Sequence, residues 1–166
     1  MTDDFASLYD FNRWANDKML SACRQLSPEQ YAAEPAPGWS SVRATVYHIA
    51  IVTDGWLRGL ADESAETFPA EEEIATPDAA AALLEEAYQR FAALQPKLTP
   101  EYLAAPHEFR RGERVAVLPP WVVLRHIVNH TSYHRGQVAS KLARLGVRQA
   151  ETDMVYWAME RAAGGA

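Results

Sequence analysis

The chain has 166 residues, a formal net charge of −6, and a composition that is 48% hydrophobic and 23% charged. This length suits one domain, 1–166, which buries about two-thirds of the surface that the unfolded chain exposes. The negative charge and the lack of a basic stripe argue against a nucleic-acid-binding protein. No apolar run reaches the roughly 18 residues that a membrane-spanning helix needs. The acidic N-terminus does not resemble a signal peptide, and the single cysteine, Cys23, suits a reducing compartment, so we expect a cytoplasmic protein.

Apolar residues recur at steps of three and four in four long segments, which predicts an all-α protein. The main helices are expected over about 3–26, from Ser40 or Ser41 to about Leu60, from Pro77 to about Leu98, and from Pro120 to about Leu145. Thr76 precedes a helix-starting proline and is a predicted N-cap, and Ser27 is expected to cap a short turn. Gly146 is well placed to end the fourth helix, and a last short helix is expected over about 153–162.

The segment HEFRRGERVAVL, residues 107–118, departs from the helical pattern and predicts a small hairpin around an Arg-Gly-Glu turn. A polar connection, 61–75, separates the second and third helices. The expected architecture is therefore a four-helix bundle with a hairpin-like connection before the fourth helix and a short C-terminal helix. Such long connections permit topologies other than up-down-up-down. The five tryptophans are expected mainly in the core.

The stretch HTSYHRGQV carries His130 and His134 one helical turn apart, so two imidazoles can point at one ion. His126 lies eight residues before His134, about 12 Å along the helix, too far to share an ion easily with it. On a helical projection His130 and His134 face the bundle interior better than His126. We therefore expect His126 at the flank of the helix.

Two imidazoles alone make a weak site, because zinc or nickel normally needs three or more protein donors. His48, in the middle of the second helix and beside its apolar face, is the natural third ligand. Three ligands leave a coordination position for water or substrate, as in catalytic zinc sites. The competing interpretation is that these are hydrogen-bonded core histidines, and the spacing alone leaves both interpretations open. His107 falls in the predicted hairpin and is not expected to bind metal.

Other side chains near this stretch have less defined roles. Arg135 is a candidate catalytic residue that pairs with a carboxylate of the protein or binds an anionic substrate. His126 is the second catalytic candidate. Gln137 and Asn129 are either hydrogen-bond partners of the ligands or solvated surface residues. Phosphate-binding loops, GxSxG motifs and CxxC pairs do not occur in the sequence.

Three segments together resemble the DinB/YfiT-like family: LYDFNRWAND, GWSSVRATVYHIA, and WVVLRHIVNHTSYHRGQV. The resemblance covers nearly the whole chain and is most specific in the last segment. It implies a four-helix bundle, commonly a homodimer, with a divalent metal ion held by three histidines at the positions of His48, His130 and His134. Relatives include thiol-dependent S-transferases, a mycothiol-dependent isomerase and a hydrolase-like protein. The isomerase branch matches less well, because a glutamate stands there at the position of His130.

The leading hypothesis is a metal-dependent S-transferase that acts on a low-molecular-weight thiol, with zinc or nickel as the ion. An alternative is a metal-dependent hydrolase, for which Asp54, Glu34 and His126 are the candidate general bases. A third hypothesis is a non-catalytic, stress-associated dimer in which the ion adds folding free energy.

Overall fold

The computed structural model describes residues 2–63, 68–149 and 151–164. Residues 64–67 of the predicted polar connection therefore lie outside the described residues. In chain order the helices and strands are α1 (Thr2–Cys23), α2 (Pro28–Ala32), α3 (Val42–Leu60), α4 (Pro77–Leu94), α5 (Pro100–Ala104), β1 (His107–Arg111), β2 (Arg114–Leu118), α6 (Pro120–Arg144) and α7 (Met154–Gly164). Short 3-10 turns cover Glu71–Glu73 and Gln95–Lys97.

Side-chain caps begin the helices that the sequence predicts. The Ser27 hydroxyl accepts from the Gln30 amide, and the Gln30 side chain accepts from the Ser27 amide, which forms a capping box at α2. The predicted start of α3 left two serines open, and Ser41 is the residue that caps it, by accepting from the Ala44 amide. Each cap satisfies a backbone donor that the first helical turn leaves free.

Two predicted helix ends are too long by about one turn. The first helix ends at Cys23 rather than Leu26, because the amides of Gln25 and Leu26 bond three residues back and tighten the chain into a turn. The third helix likewise ends at Leu94, and a 3-10 turn containing Pro96 follows it. The short helix α5 was not predicted, since five residues are too few to show a helical period.

The four long helices pack as a bundle in which chain neighbours are not always neighbours in space. The main helix pairings are α3 with α4, α3 with α6, α1 with α6, and α1 with α4. Helices α1 and α3 therefore lie across the bundle from each other, as do α4 and α6. This arrangement is a four-helix bundle that departs from the simple up-down-up-down order, as the long connections allow. No helix among the described residues is long and apolar enough to cross a membrane.

The predicted hairpin is present and packs on the end of α3. Strands β1 and β2 pair antiparallel, with Phe109 opposite Ala116, and the turn contains Gly112 with a positive φ of 58°. Phe109 packs so closely on α3 that a Cβ at Gly59 would lie 2.8 Å from its ring. Only a glycine at that position allows the hairpin this close approach.

The tryptophan expectation is wrong in part. None of the five tryptophans is fully buried, and Trp121 at the start of α6 is 46% exposed. Tryptophan is large and carries a polar N–H, so it often lies at the edge of a core rather than inside it. The fully buried large side chains are instead aliphatic residues, Met19 and Tyr31.

Candidate metal centre

The nitrogens of three histidines converge where α3 faces α6. The Nε2 atoms of His48 and His134 each lie 3.1 Å from Nε2 of His130. One nitrogen from each ring can be chosen so that all three lie within 4.8 Å of one another. Helix α6 supplies two of the rings one turn apart, and α3 supplies the third from across the bundle interface. The structure therefore brings together the three histidines that the sequence singles out.

Helices α3 and α6 run antiparallel, and successive contacts between them place the cluster near the middle of the interface. Lys141 bonds the Thr45 hydroxyl toward the N-terminal end of α3. His48 meets the other two cluster histidines next, and Trp56 meets His126 one or two turns further on. The three histidines are half-buried, since the faces of both helices turn toward the bundle interior just behind them.

Burial keeps two of these imidazoles in the neutral form. Burial and the neighbouring His134, His48 and His126 lower the pKa of His130 to about 4. Burial and the neighbouring His134 also lower the pKa of His48. A metal ligand must be deprotonated at the coordinating nitrogen, so a lowered pKa favours binding at neutral pH.

A glutamine side chain fixes the orientation of one ring. Nδ1 of His134 lies 2.8 Å from Oε1 of Gln137, which can only accept a hydrogen bond. This contact assigns the proton to Nδ1 and leaves the lone pair of Nε2 facing the other two histidines. Gln137 is thus a hydrogen-bond partner of a predicted ligand, His134, rather than a solvated surface residue. Nδ1 of His130 is buried without a partner among the described residues.

Two of the three nitrogen–nitrogen separations fit a divalent metal ion. Two ligands at about 2.0–2.1 Å from one ion, at a tetrahedral angle, lie about 3.3 Å apart. The two observed separations of 3.1 Å are close to that value. The donor set of three neutral imidazoles suits zinc, nickel, iron or copper. No fourth histidine, cysteine, aspartate or glutamate from 2–63, 68–149 or 151–164 joins the cluster, so an ion there keeps an open coordination position.

Arg135, a candidate catalytic residue, is directed away from the cluster into the core between α1 and α6. Its guanidinium donates to Oδ1 of Asn12 at 2.8 Å, to Oδ1 of Asn16 at 3.0 Å and to the Ser132 hydroxyl. The side chain is 3% exposed, and burial lowers its pKa to about 10, so it stays charged at neutral pH. Neither partner in the core is a carboxylate. Arg135 therefore organises the α1–α6 contact.

His126, the other catalytic candidate, lies beside the cluster at the exposed flank of α6. Its ring centroid is 5.4 Å from that of His130 and 5.7 Å from that of Trp56. His107 is in β1, where its Nε2 lies 2.9 Å from the Gly59 carbonyl oxygen. The structure thus places His126, but not His107, near the three converging nitrogens.

The two acidic candidates for a general base are in unsuitable places. Asp54 is fully buried, and its carboxylate oxygens accept from Arg58 at 2.6 Å and from Arg90 at 2.5 Å. Both oxygens are held in this ion pair network, so the carboxylate is not free to accept a proton from a substrate. Glu34 is an exposed residue in the connection between α2 and α3. His126 is the remaining candidate.

Comparison with known proteins decides the family. The model of the DinB family matches residues 1–162. The chain belongs to the DinB family. It is 26% identical over 160 residues to Protein DinB of Bacillus subtilis, an alignment that covers 92% of each chain.

Solved structures of similar proteins share the fold. A DinB-like protein from Bacillus cereus has 21% sequence identity and a TM-score of 0.72, over 90% of this chain and 95% of that one. YfiT from Bacillus subtilis, a probable metal-dependent hydrolase with an unusual four-helix bundle topology, has 20% identity and a TM-score of 0.61. That comparison covers 88% of this chain and 90% of YfiT. The four-helix bundle predicted from the sequence is confirmed.

Sequence reasoning missed the surroundings of the cluster. Lys141 and Trp56 lie along the α3–α6 interface, and Tyr133 lies beside His134. None of the three was expected near the site. One signal was available for Tyr133, because it stands between the two histidines of HTSYH. Trp56 could not be paired with His126 from the sequence, since the register between α3 and α6 is set by packing.

Proposed function

We propose that this DinB family protein is a metal-dependent enzyme that transfers a group to the sulfur of a low-molecular-weight thiol. His48, His130 and His134 would hold one divalent ion, zinc or nickel. The observation that carries the proposal is the convergence of three Nε2 atoms without a fourth protein donor among the described residues. A site closed by four protein ligands would instead be typical of a structural ion.

The charges of the site support a thiol as the substrate. Three neutral imidazoles leave the charge of a divalent ion uncompensated by the protein, so an anionic ligand is favoured in the open position. When bound, the ion would lower the pKa of a thiol and hold its sulfur as the nucleophile. The chain's own residues fix the three nitrogens: Gln137 orients His134, and burial keeps His130 neutral.

The absence of an acidic residue from the cluster favours thiol transfer over hydrolysis. Hydrolysis benefits from a general base that takes the proton of water. Asp54 is tied to two arginines, and no aspartate or glutamate of the described ranges joins the histidines. A thiol has a free pKa of about 8.5 and loses its proton more readily than water. Thiol transfer therefore depends less than hydrolysis does on a general base from the protein.

A metal-dependent hydrolase is the second candidate. It is favoured by the exposed His126, whose ring lies next to that of His130 and can accept a proton. The similarity to YfiT, a probable metal-dependent hydrolase, supports this candidate as well. The two reactions are distinguishable, because ester or amide turnover would not depend on added thiol.

The test begins with the metal content of untagged protein after loading with zinc or nickel. We expect about one equivalent in the parent and in His126→Ala, and little in His130→Ala or His134→Ala. His126→Ala is the matched control, because it removes a histidine from the same helix and the same neighbourhood. An equal metal content in all four proteins would refute the ligand assignment.

The loaded parent is then incubated with glutathione, bacillithiol or mycothiol and a panel of electrophiles, and conjugates are measured by mass spectrometry. We expect conjugates whose formation needs the ion and is lost in His134→Ala. Turnover of esters or amides without thiol would favour the hydrolase. Bound metal without either reaction would favour a non-catalytic metal-binding protein. For each of the three functions, a homodimer and a cytoplasmic location remain predictions.

A further inference from the structure

Two exposed rings of α6, those of His126 and Tyr133, lie beside the histidine cluster. His126 lies one turn before His130, with ring centroids 5.4 Å apart. Tyr133 lies beside His134, with ring centroids 5.1 Å apart, and it is 66% exposed. Seven residues separate His126 from Tyr133, so they stand two turns, or about 10 Å, apart along the helix. The space between the two rings, the opening, lies along the part of α6 that carries His130.

Trp56 of α3 fixes one end of this opening. Its ring meets that of His126 edge to face, with centroids 5.7 Å apart and an interplanar angle of 78°. On the hairpin side Trp56 packs edge to face against Phe109, at 5.2 Å. The hairpin and α3 together hold the indole in place. His126 has no hydrogen-bond partner within the described part of the chain, so packing alone positions its ring.

We propose that Trp56, His126 and Tyr133 form a slot, the aromatic slot, for a flat apolar group of the molecule that occupies the open coordination position. The inference rests on the proposed function, because that molecule must reach the histidine-held ion. A planar ring in edge-to-face contact with both rings, with its centroid about 5 Å from each, needs about 10 Å between them, which matches the two-turn spacing. The substrate class is therefore a small metal-binding molecule with an aromatic or conjugated substituent.

The arrangement of these side chains distinguishes them from ordinary surface residues. A single exposed aromatic residue is common on protein surfaces and needs no explanation. Here the exposed rings lie before and after His130 along α6, each beside a histidine of the cluster, and a half-buried indole adjoins one of them. Contact with a flat group would cover aromatic surface that now faces water, which is favourable in offset or edge-to-face geometry.

The test uses the cobalt-loaded protein and its visible absorption spectrum, so that binding is read without turnover. Acetohydroxamate and benzohydroxamate are compared as probes, since both bind open metal positions and differ in the aromatic ring. We expect benzohydroxamate to bind about tenfold more tightly in the parent. The preference should fall to about twofold in Tyr133→Ala and in His126→Ala, and Tyr133→Phe should retain it.

Trp121→Leu is the control, because Trp121 is an exposed tryptophan of α6 that is not part of the aromatic slot. It should keep the parent preference. Equal affinity of the two hydroxamates in the parent would overturn the inference, as would a preference that survives both alanine variants. Failure of cobalt to bind, or of either hydroxamate to change its spectrum, would overturn it as well.

A parallel titration with 2-mercaptoethanol and benzyl mercaptan separates this inference from the proposed function. Thiol binding without an aromatic preference would leave thiol transfer standing and overturn the aromatic slot. A hydroxamate preference without any thiol binding would support the slot and contradict the thiol-transferase proposal.

Discussion

Replacing Asp54 with alanine should destabilise the protein strongly without changing the metal centre. Asp54 is fully buried, and its two oxygens accept charged hydrogen bonds from Arg58 and Arg90. The substitution removes both bonds and leaves two guanidinium groups, 23% and 19% exposed, facing a space without a counter-charge. The pair with Arg90 joins α3 to α4, so part of the loss falls on one of the main helix contacts.

The size of the effect follows from these contacts. A hydrogen bond to a charged group contributes about 1.5–3 kcal/mol, and breaking a buried pair costs about 3–5 kcal/mol. Arg58 and Arg90 can turn partly toward water, and Arg90 keeps its pair with Glu63, so the lower end applies. We expect the free energy of unfolding to fall by about 3 kcal/mol. For a chain of this size the melting temperature should fall by roughly 6–12 °C.

Urea unfolding of the metal-free proteins measures this loss, with the slope unchanged if the native state is intact. Asp10→Ala is the matched control, because its ion pair with Arg161 is largely exposed and should contribute less than about 1 kcal/mol. Equal stability of the two variants would contradict the large contribution that we expect from the buried ion pairs of Asp54. Loss of metal from folded Asp54→Ala would refute its separation from the metal centre.

Three further predictions concern residues with defined surroundings. Gln137→Leu should weaken metal affinity about 10- to 100-fold, measured by competition with a chelator, because His134 loses its hydrogen-bond acceptor. Burial raises the pKa of Tyr88, so the phenol loses its proton at a lower pH in the unfolded state than in the folded state. The free energy of unfolding should therefore fall as pH rises above about 10, and it should fall less steeply in Tyr88→Phe. Burial raises the pKa of Cys23 to about 12, so thiol reagents at pH 8 should modify it only after unfolding in urea.

Local signals explain why so much of the fold could be predicted from the sequence. Helix starts were marked by capping side chains and prolines, as at Ser27 and Thr76, and these depend on residues only a few positions apart. The hairpin was marked by Gly112 and by the break in helical periodicity. Where the prediction was wrong, as at the end of α1, the chain left the α-helix for a tighter turn a few residues earlier than the apolar pattern indicates.

The three clustered histidines were predictable for a similar reason, while their surroundings were not. The spacing of His130 and His134 is a local property of one helix. His48 could be chosen because it lies in the middle of a predicted helix, beside the apolar face of that helix. In contrast, Arg135 meets Asn12 from more than a hundred residues away, and that pairing depends on the α1–α6 register. Its placement in the core, rather than beside the histidine cluster, could be seen only in the structure.

Helix α6 contacts α1 on one face and α3 on another, so different residues of the same helix stabilise the bundle and form the histidine cluster. Adjacent positions on a helix differ by about 100°, so His134 and Arg135 necessarily face different neighbours. The charged guanidinium of Arg135 lies inside the core, where it donates hydrogen bonds to two asparagine oxygens of α1. His134 faces α3, where its ring stays half-buried and a lone pair points to the cluster. Because Arg135 anchors α6 on α1, a substitution such as Arg135→Met should alter metal affinity only through the position of the helix, and less than a substitution of Gln137 does.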